Sequence, residues 1–128
     1  MPSQGRGSAT KALAMSAILL VSLTLHLKTA QAIDYVVGDA EGWTFTSEGW
    51  GKGKTFKAGD NLIFKYDNQL HNVAIVDANT YNTCKIPPGT KSSTSGNDKI
   101  ALKEGTNYFV CTILGHCDAG VRLRVTAS

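Results

Sequence analysis

Two runs of the chain alternate apolar residues with other residues at a period of two, as a strand with one buried face does. The apolar members are Leu62, Phe64 and Tyr66 in the first run and Val121, Leu123 and Val125 in the second. Arg122 and Arg124 occupy the alternate positions of the second run. We therefore expect the three aliphatic residues of the last run to point inward and both arginines to face solvent.

Shorter apolar runs predict further strands, separated by polar or glycine-rich stretches. These strands are expected at residues 35–37, 43–45, 72–76, 99–102 and 106–111, with loops at 49–53 and 87–97. Asp77 suits the N-cap of a short helical turn over residues 77–82. About seven or eight strands with one or two short helical turns, at this spacing, are typical of an antiparallel β-sandwich. No internal repeat or second domain is visible.

The first 32 residues have the pattern of a secretory signal peptide. Residues 1–11 carry two basic residues and no acid, residues 12–25 are almost wholly apolar, and Ala30-Gln31-Ala32 is a small-residue cleavage site. The apolar run is shorter than a membrane-spanning helix requires. We expect a signal peptide at 1–32 and one mature domain at 33–128. Because no apolar tail follows, we expect secretion to the extracellular space (apoplast or cell wall) without a membrane anchor.

The charge balance changes when that segment is removed. The full chain has 13 Lys and Arg against 10 Asp and Glu, a formal net charge of +3. Three of the basic residues precede residue 33 and all of the acidic residues follow it, so the predicted mature domain is formally neutral. Bulk charge therefore gives no support for nucleic-acid binding.

One cysteine and two histidines form a candidate metal site. Four residues separate Cys111 from His116 on a loop between two predicted strands, and His71 directly precedes another strand. One thiolate and two imidazoles suit copper, because the soft sulfur holds Cu(I) and the nitrogens bind both oxidation states. Taken singly, each residue is more often structural: Cys111 as a small buried apolar residue and His71 as a loop histidine.

The three cysteines, Cys84, Cys111 and Cys117, allow three single pairings in the oxidising compartment that a secreted protein enters. If Cys111 is a metal thiolate, Cys84 and Cys117 remain to form a bridge. If Cys111 pairs with either of them, the metal hypothesis fails.

Two neighbours of the candidate ligands bear on the site. Asn72, beside His71, is a candidate for joining the ligand loops by hydrogen bonds, although an ordinary loop asparagine explains it equally well. Val121 lies at the rim of the predicted site. Blue-copper sites often carry a weak axial Met or Gln, whereas valine has no donor atom.

Six motifs run in order along the predicted mature domain. They are Tyr35-Val36-Val37-Gly38-Asp39, Gly42-Trp43, Phe56-x-x-Gly59-Asp60-x-Leu62-x-Phe64-x-Tyr66, His71-Asn72-Val73, Tyr81-x-x-Cys84, and Tyr108-Phe109-x-Cys111-x4-His116-Cys117-x-x-Gly120. Their order and spacing resemble the phytocyanins, the small blue-copper proteins of plants, and look most like the plantacyanin, or basic blue protein, branch.

The resemblance implies a cupredoxin-type Greek-key β-sandwich holding one type 1 copper ion. It implies ligation by His71, Cys111 and His116, and a disulfide between Cys84 and Cys117. Val121 falls where plantacyanins have an axial Met and stellacyanins a Gln, so a three-coordinate site is expected. The neutral charge of the mature domain also departs from the branch's basic name.

The function implied by the resemblance is outer-sphere electron transfer by a monomer, with an unknown redox protein or small redox molecule as partner. The alternative is an extracellular recognition or signalling protein, for example in plant reproduction, in which copper is structural or incidental. An enzyme is not expected, because no acidic residue adjoins His71 or lies between Cys111 and His116 to act as a base.

Overall fold

Six strands form in residues 31–128, the part of the chain that this computed structural model describes. They are β1 (Asp34–Val36), β2 (Asn61–Lys65), β3 (Ala74–Val76), β4 (Asn97–Ala101), β5 (Gly105–Val110) and β6 (Arg122–Ala127). The expected signal peptide lies almost wholly outside these residues. Within residues 31–128, no helix has the length and apolar character needed to span a bilayer.

The strands form two three-stranded sheets. The first has the order β1-β2-β4, with β1 parallel and β4 antiparallel to β2. The second has the order β3-β5-β6 and is antiparallel throughout. β5 is therefore central, with the strand that follows His71 on one side and the strand that follows His116 on the other.

Apolar residues of both marked runs alternate with less buried ones as predicted, although Arg122 in the second run is only partly exposed. Leu62 and Phe64 of β2 are fully buried, as are Val121 and Leu123, while Val125 is 4% exposed. Phe64 of the first sheet packs on Phe109 of the second, with ring centroids 5.0 Å apart. The two sheets thus face each other across one core. Other members of this core are Val37, Trp43, Phe56, Val73, Leu102, Cys111 and Ala127.

Three short helical segments connect the strands: a 3-10 turn (Asp39–Glu41), α1 (Ser47–Trp50) and α2 (Ala78–Thr83). The N-cap prediction for α2 is confirmed, because the Asp77 carboxylate accepts a hydrogen bond from the Thr80 amide at 2.8 Å. Hydrogen bonds from Thr80 also lower the pKa of Asp77. Cys84 ends α2 in the left-handed conformation, with φ of 55°.

The prediction of a strand at residues 43–45 is wrong. The Ser47 amide donates to the Thr44 carbonyl at 3.0 Å, and the Thr44 amide donates to the Ser47 hydroxyl at 2.8 Å. These backbone groups bond within a turn rather than to a neighbouring strand, so the six strands are fewer than the seven or eight expected. β3 is also less buried than predicted, since Ile75 is 63% exposed.

Candidate metal centre

His71, Cys111 and His116 lie side by side. Their potential ligand atoms are all within 4.8 Å of one another. Nδ1 of His71 is 3.1 Å from Nδ1 of His116, and Sγ of Cys111 is 3.7 Å from the same His116 nitrogen. His71 and Cys111 are buried, whereas His116 is partly exposed. Across residues 31–128, no other group of three or more His, Cys, Asp or Glu side chains converges in this way.

Two of the three separations between these atoms fit one metal ion. Bonds of about 2.0–2.3 Å in a trigonal arrangement hold neighbouring ligand atoms roughly 3.5 Å apart. The observed nitrogen–nitrogen and sulfur–nitrogen separations of 3.1 and 3.7 Å lie on either side of that value. Cys111 has no disulfide partner. A free thiol beside two imidazoles is a donor set suited to copper.

His71 is positioned by the turn that precedes β3. The Asp67 carbonyl accepts hydrogen bonds from the backbone amides of Leu70 and His71, each 3.0 Å long. Burial, and then the nearby charge of His116, lowers the pKa of the His71 imidazole, while Asp67 acts in the opposite direction. The lowered pKa keeps the ring neutral, as metal binding requires, further into the acid range.

Cys111 directly follows β5, and His116 lies in the loop that leads to β6. The Cys111 amide donates to the Val121 carbonyl at 2.9 Å, and the Val121 amide donates to the His116 carbonyl at 3.0 Å. The loop therefore closes on itself and brings the thiol and the imidazole together. Val121, at the base of this loop, is fully buried and has no donor atom in its side chain.

Asn72 ties the segment carrying His71 to the segment carrying Cys111. Its side-chain amide donates to the Thr112 hydroxyl, and its side-chain carbonyl accepts from the Thr112 backbone amide, both at 2.8 Å. The Asn72 backbone carbonyl also accepts a hydrogen bond from the Trp43 indole at 2.9 Å. Sequence reasoning singled out Asn72 but missed Thr112, because no local signal marks a partner 40 residues away.

A disulfide joins Cys84 to Cys117, with 5.6 Å between their Cα atoms. It connects the end of α2 to the residue after His116, so the loop is anchored next to one imidazole. Arg122 lies beside this bridge: its guanidinium donates to the Tyr81 carbonyl at 3.0 Å and pairs with Glu48 at 3.1 Å. The expectation that Arg122 is simply solvated is wrong, because these contacts partly bury it.

Sequence reasoning also missed Phe45, which contacts both imidazoles. Its ring centroid lies 5.2 Å from that of His71 and 5.1 Å from that of His116. In the sequence Phe45 is only one member of a short alternating run. The contact depends on a turn whose position is set by distant residues, so no local pattern reveals it.

Two facing sheets that carry one free cysteine and two imidazoles on their connecting segments define a small copper protein of the cupredoxin class. The comparisons with known proteins agree. The family description "Plastocyanin-like domain" matches residues 43–121. Chemocyanin of Lilium longiflorum is 47% identical over 126 residues, covering 98% of this chain and 99% of the relative. Basic blue protein of Arabidopsis thaliana is 46% identical over 127 residues, covering 98% of each.

The solved structure of cucumber basic protein, a blue copper protein, matches the fold with a TM-score of 0.71 and 47% identity. That match covers 74% of this chain and 99% of the cucumber protein. The chain therefore belongs to the phytocyanins, and within them it resembles the basic blue protein, or plantacyanin, branch. Its cofactor is a type 1 copper ion, and the expected cupredoxin fold is confirmed.

Proposed function

We propose that this phytocyanin is a secreted, outer-sphere electron carrier whose copper is held by His71, Cys111 and His116. The observation that supports the proposal most is the buried Cys111 thiol, which no disulfide engages and which adjoins two imidazoles. These three side chains would hold a copper ion, which would supply one-electron redox chemistry, because the sulfur favours Cu(I) and the nitrogens bind both oxidation states.

The surrounding residues limit how far the ligands move when the electron arrives. Asn72 and Thr112 share two hydrogen bonds that join the His71 and Cys111 segments. The disulfide at Cys117 anchors the loop beside His116. Ligands held in this way keep one geometry in both oxidation states, and that lowers the reorganisation needed for electron transfer.

His116 is the ligand best placed to pass electrons to a partner. It is partly exposed, whereas His71 is only 4% exposed. The neighbouring Leu114 is 99% exposed and Ile113 is 38% exposed. An apolar surface beside His116 allows a partner to approach closely. The proposed partner is a redox protein or a small redox molecule. In this role the protein transfers electrons and converts no bound substrate.

We also propose secretion, on the basis of the signal-like segment at residues 1–32, and place the mature protein, residues 33–128, in the apoplast or cell wall as a monomer. The disulfide between Cys84 and Cys117 supports this proposal, because such bonds persist in oxidising compartments. An enzymatic role is disfavoured, because the ligand cluster contains no carboxylate to serve as a general base.

The first experiment tests the carrier role directly. We expect the copper-loaded protein to show an intense thiolate-to-copper absorption band and to cycle repeatedly between oxidised and reduced forms without consuming a substrate. Visible spectroscopy during alternating additions of a reductant and an oxidant measures both properties. A colourless copper complex, or one that bleaches irreversibly after a single cycle, would reject an electron carrier of this type.

The second prediction concerns the effect of Val121 on the reduction potential of the copper site. We propose that Val121 leaves the axial position without a protein ligand, because its side chain has only carbon atoms there. Val121→Met adds a thioether donor that stabilises Cu(II), so the reduction potential is expected to fall. The position is fully buried, and the larger side chain is expected to cost about 1–3 kcal/mol of unfolding free energy through overpacking.

Val121→Leu is the matched control, because it adds bulk without a donor. Spectroelectrochemistry of the three proteins separates the two effects. A potential in Val121→Met equal to or above that of Val121→Leu would contradict the absence of an axial ligand in the natural protein.

A further inference from the structure

Phe45 packs against both imidazoles and is partly exposed to solvent. Its ring meets the His71 ring edge-on, at 72°, and meets the His116 ring at 58°. The two imidazole centroids are 5.0 Å apart, so the three rings form one contiguous cluster. Phe45 is 47% exposed, whereas His71 beneath it is only 4% exposed. Phe45 is therefore exposed to water while its ring also contacts both imidazoles.

The backbone of Phe45 is held close to the loop that carries His116. A Cβ atom on Gly120 would lie 2.4 Å from the Phe45 carbonyl oxygen, a distance that real Cβ atoms do not reach. Gly120 also has φ of 109°, which side-chain-bearing residues rarely adopt. Glycine at this position is therefore required for the close approach of the two segments.

Hydrogen bonds at both ends fix the segment that contains Phe45, residues 43–48. At one end the Trp43 indole donates to the Asn72 carbonyl at 2.9 Å. At the other end the Glu48 amide donates to the Gly120 carbonyl at 3.3 Å. Segment 43–48 is thus attached next to His71 and also to the loop of His116. The phenyl ring is held over the imidazoles by structure on both sides.

We propose that Phe45 is a positioning residue that closes the solvent side of the copper site and keeps water and small anions from binding the metal. The proposal rests on the ligand assignment made above. It matters in this chain because Val121 supplies no axial donor, so a three-coordinate ion has room for an additional ligand from solvent. An apolar ring packed on both imidazoles excludes that ligand and restricts rotation of the rings.

The test compares Phe45→Ala with Phe45→Leu, which keeps an apolar side chain over the imidazoles. Azide is titrated into each copper-loaded protein while the visible and electron paramagnetic resonance spectra are recorded. Azide is expected to bind Phe45→Ala about 10-fold to 100-fold more tightly than the natural protein, by analogy with the effect of residues around metal ligands on metal affinity. The reduction potential of Phe45→Ala is also expected to fall, because solvent oxygen stabilises Cu(II). Phe45→Leu is expected to remain close to the natural protein in both measurements.

Equal azide affinity and equal potential in Phe45→Ala and the natural protein would overturn the inference. Failure of the ligand assignment looks different, since the natural protein itself would then lack the thiolate-to-copper band. If Phe45→Ala did not fold, Phe45→Ser, which also removes the apolar cover from the imidazoles, would replace it, with the same expected direction and the same overturning result. The circular dichroism of the metal-free variants checks folding independently of copper.

Discussion

Replacing Cys111 with serine is expected to abolish the intense visible band of the copper-loaded protein completely. The band requires charge transfer from a thiolate, and a serine hydroxyl offers neither the soft sulfur nor its high-energy electrons. Affinity for Cu(I) is expected to fall more than affinity for Cu(II), because oxygen is the harder ligand. The reduction potential should fall for the same reason, and titration with each oxidation state measures the difference.

Folding must be shown to survive this substitution. Cys111 is fully buried, so a hydroxyl there is expected to cost about 1–3 kcal/mol unless it finds a hydrogen-bond partner. Urea unfolding of the metal-free proteins measures that cost separately from copper binding. A Cys111→Ser protein that stays folded and retains the band would show that Cys111 is not the thiolate ligand.

The same variant separates the two functional classes. An electron carrier loses its biological activity together with the band. A recognition or signalling protein in which copper is incidental keeps its activity in Cys111→Ser, provided that the variant folds. Survival of the activity would therefore argue against electron transfer as the function without contradicting the assignment of the copper site in the natural protein.

Removing the disulfide is expected to lower the free energy of unfolding strongly, while the thiolate-to-copper absorption band is retained. Cys84 and Cys117 are 33 residues apart, and closing a loop of that length restricts the unfolded chain by about 4 kcal/mol in the chain-entropy account. For a domain of this size, such a loss corresponds to a fall in melting temperature of roughly 15–30 °C. The double variant Cys84→Ala, Cys117→Ala tests this without leaving a thiol that can pair with Cys111.

The copper site should persist in the double variant at temperatures well below its melting point. The hydrogen bond between the Cys111 amide and the Val121 carbonyl, and that between the Val121 amide and the His116 carbonyl, do not involve the bridge. Calorimetry of the metal-free proteins gives the stability, and the visible spectrum reports the site. A stability change below about 1 kcal/mol would contradict the chain-entropy account for this loop. Loss of the band in a folded variant would show that the bridge itself positions His116.

Local patterns predicted the strands and one helix end because their causes are local. The period of two in β2 and β6 follows from strand geometry, and Asp77 caps α2 through a residue only three positions away. The alternation at residues 43–45 led to the wrong prediction of a strand there. Trp43 is buried in the core and the next residues bond within a turn, which no short pattern distinguishes from a strand.

The sequence alone determined which residue types are present and in what order: two alternating strands, a cap, and the cysteine and histidine motifs that identify a phytocyanin. Tertiary structure decided what these residues meet. Thr112 is hydrogen-bonded to Asn72, and Arg122 contacts Glu48 and Tyr81. The Phe45 ring packs against two imidazoles. The physical reason is separation along the sequence, because each of these contacts joins residues more than 25 positions apart. Their geometry depends on how the two sheets and the connecting loops pack.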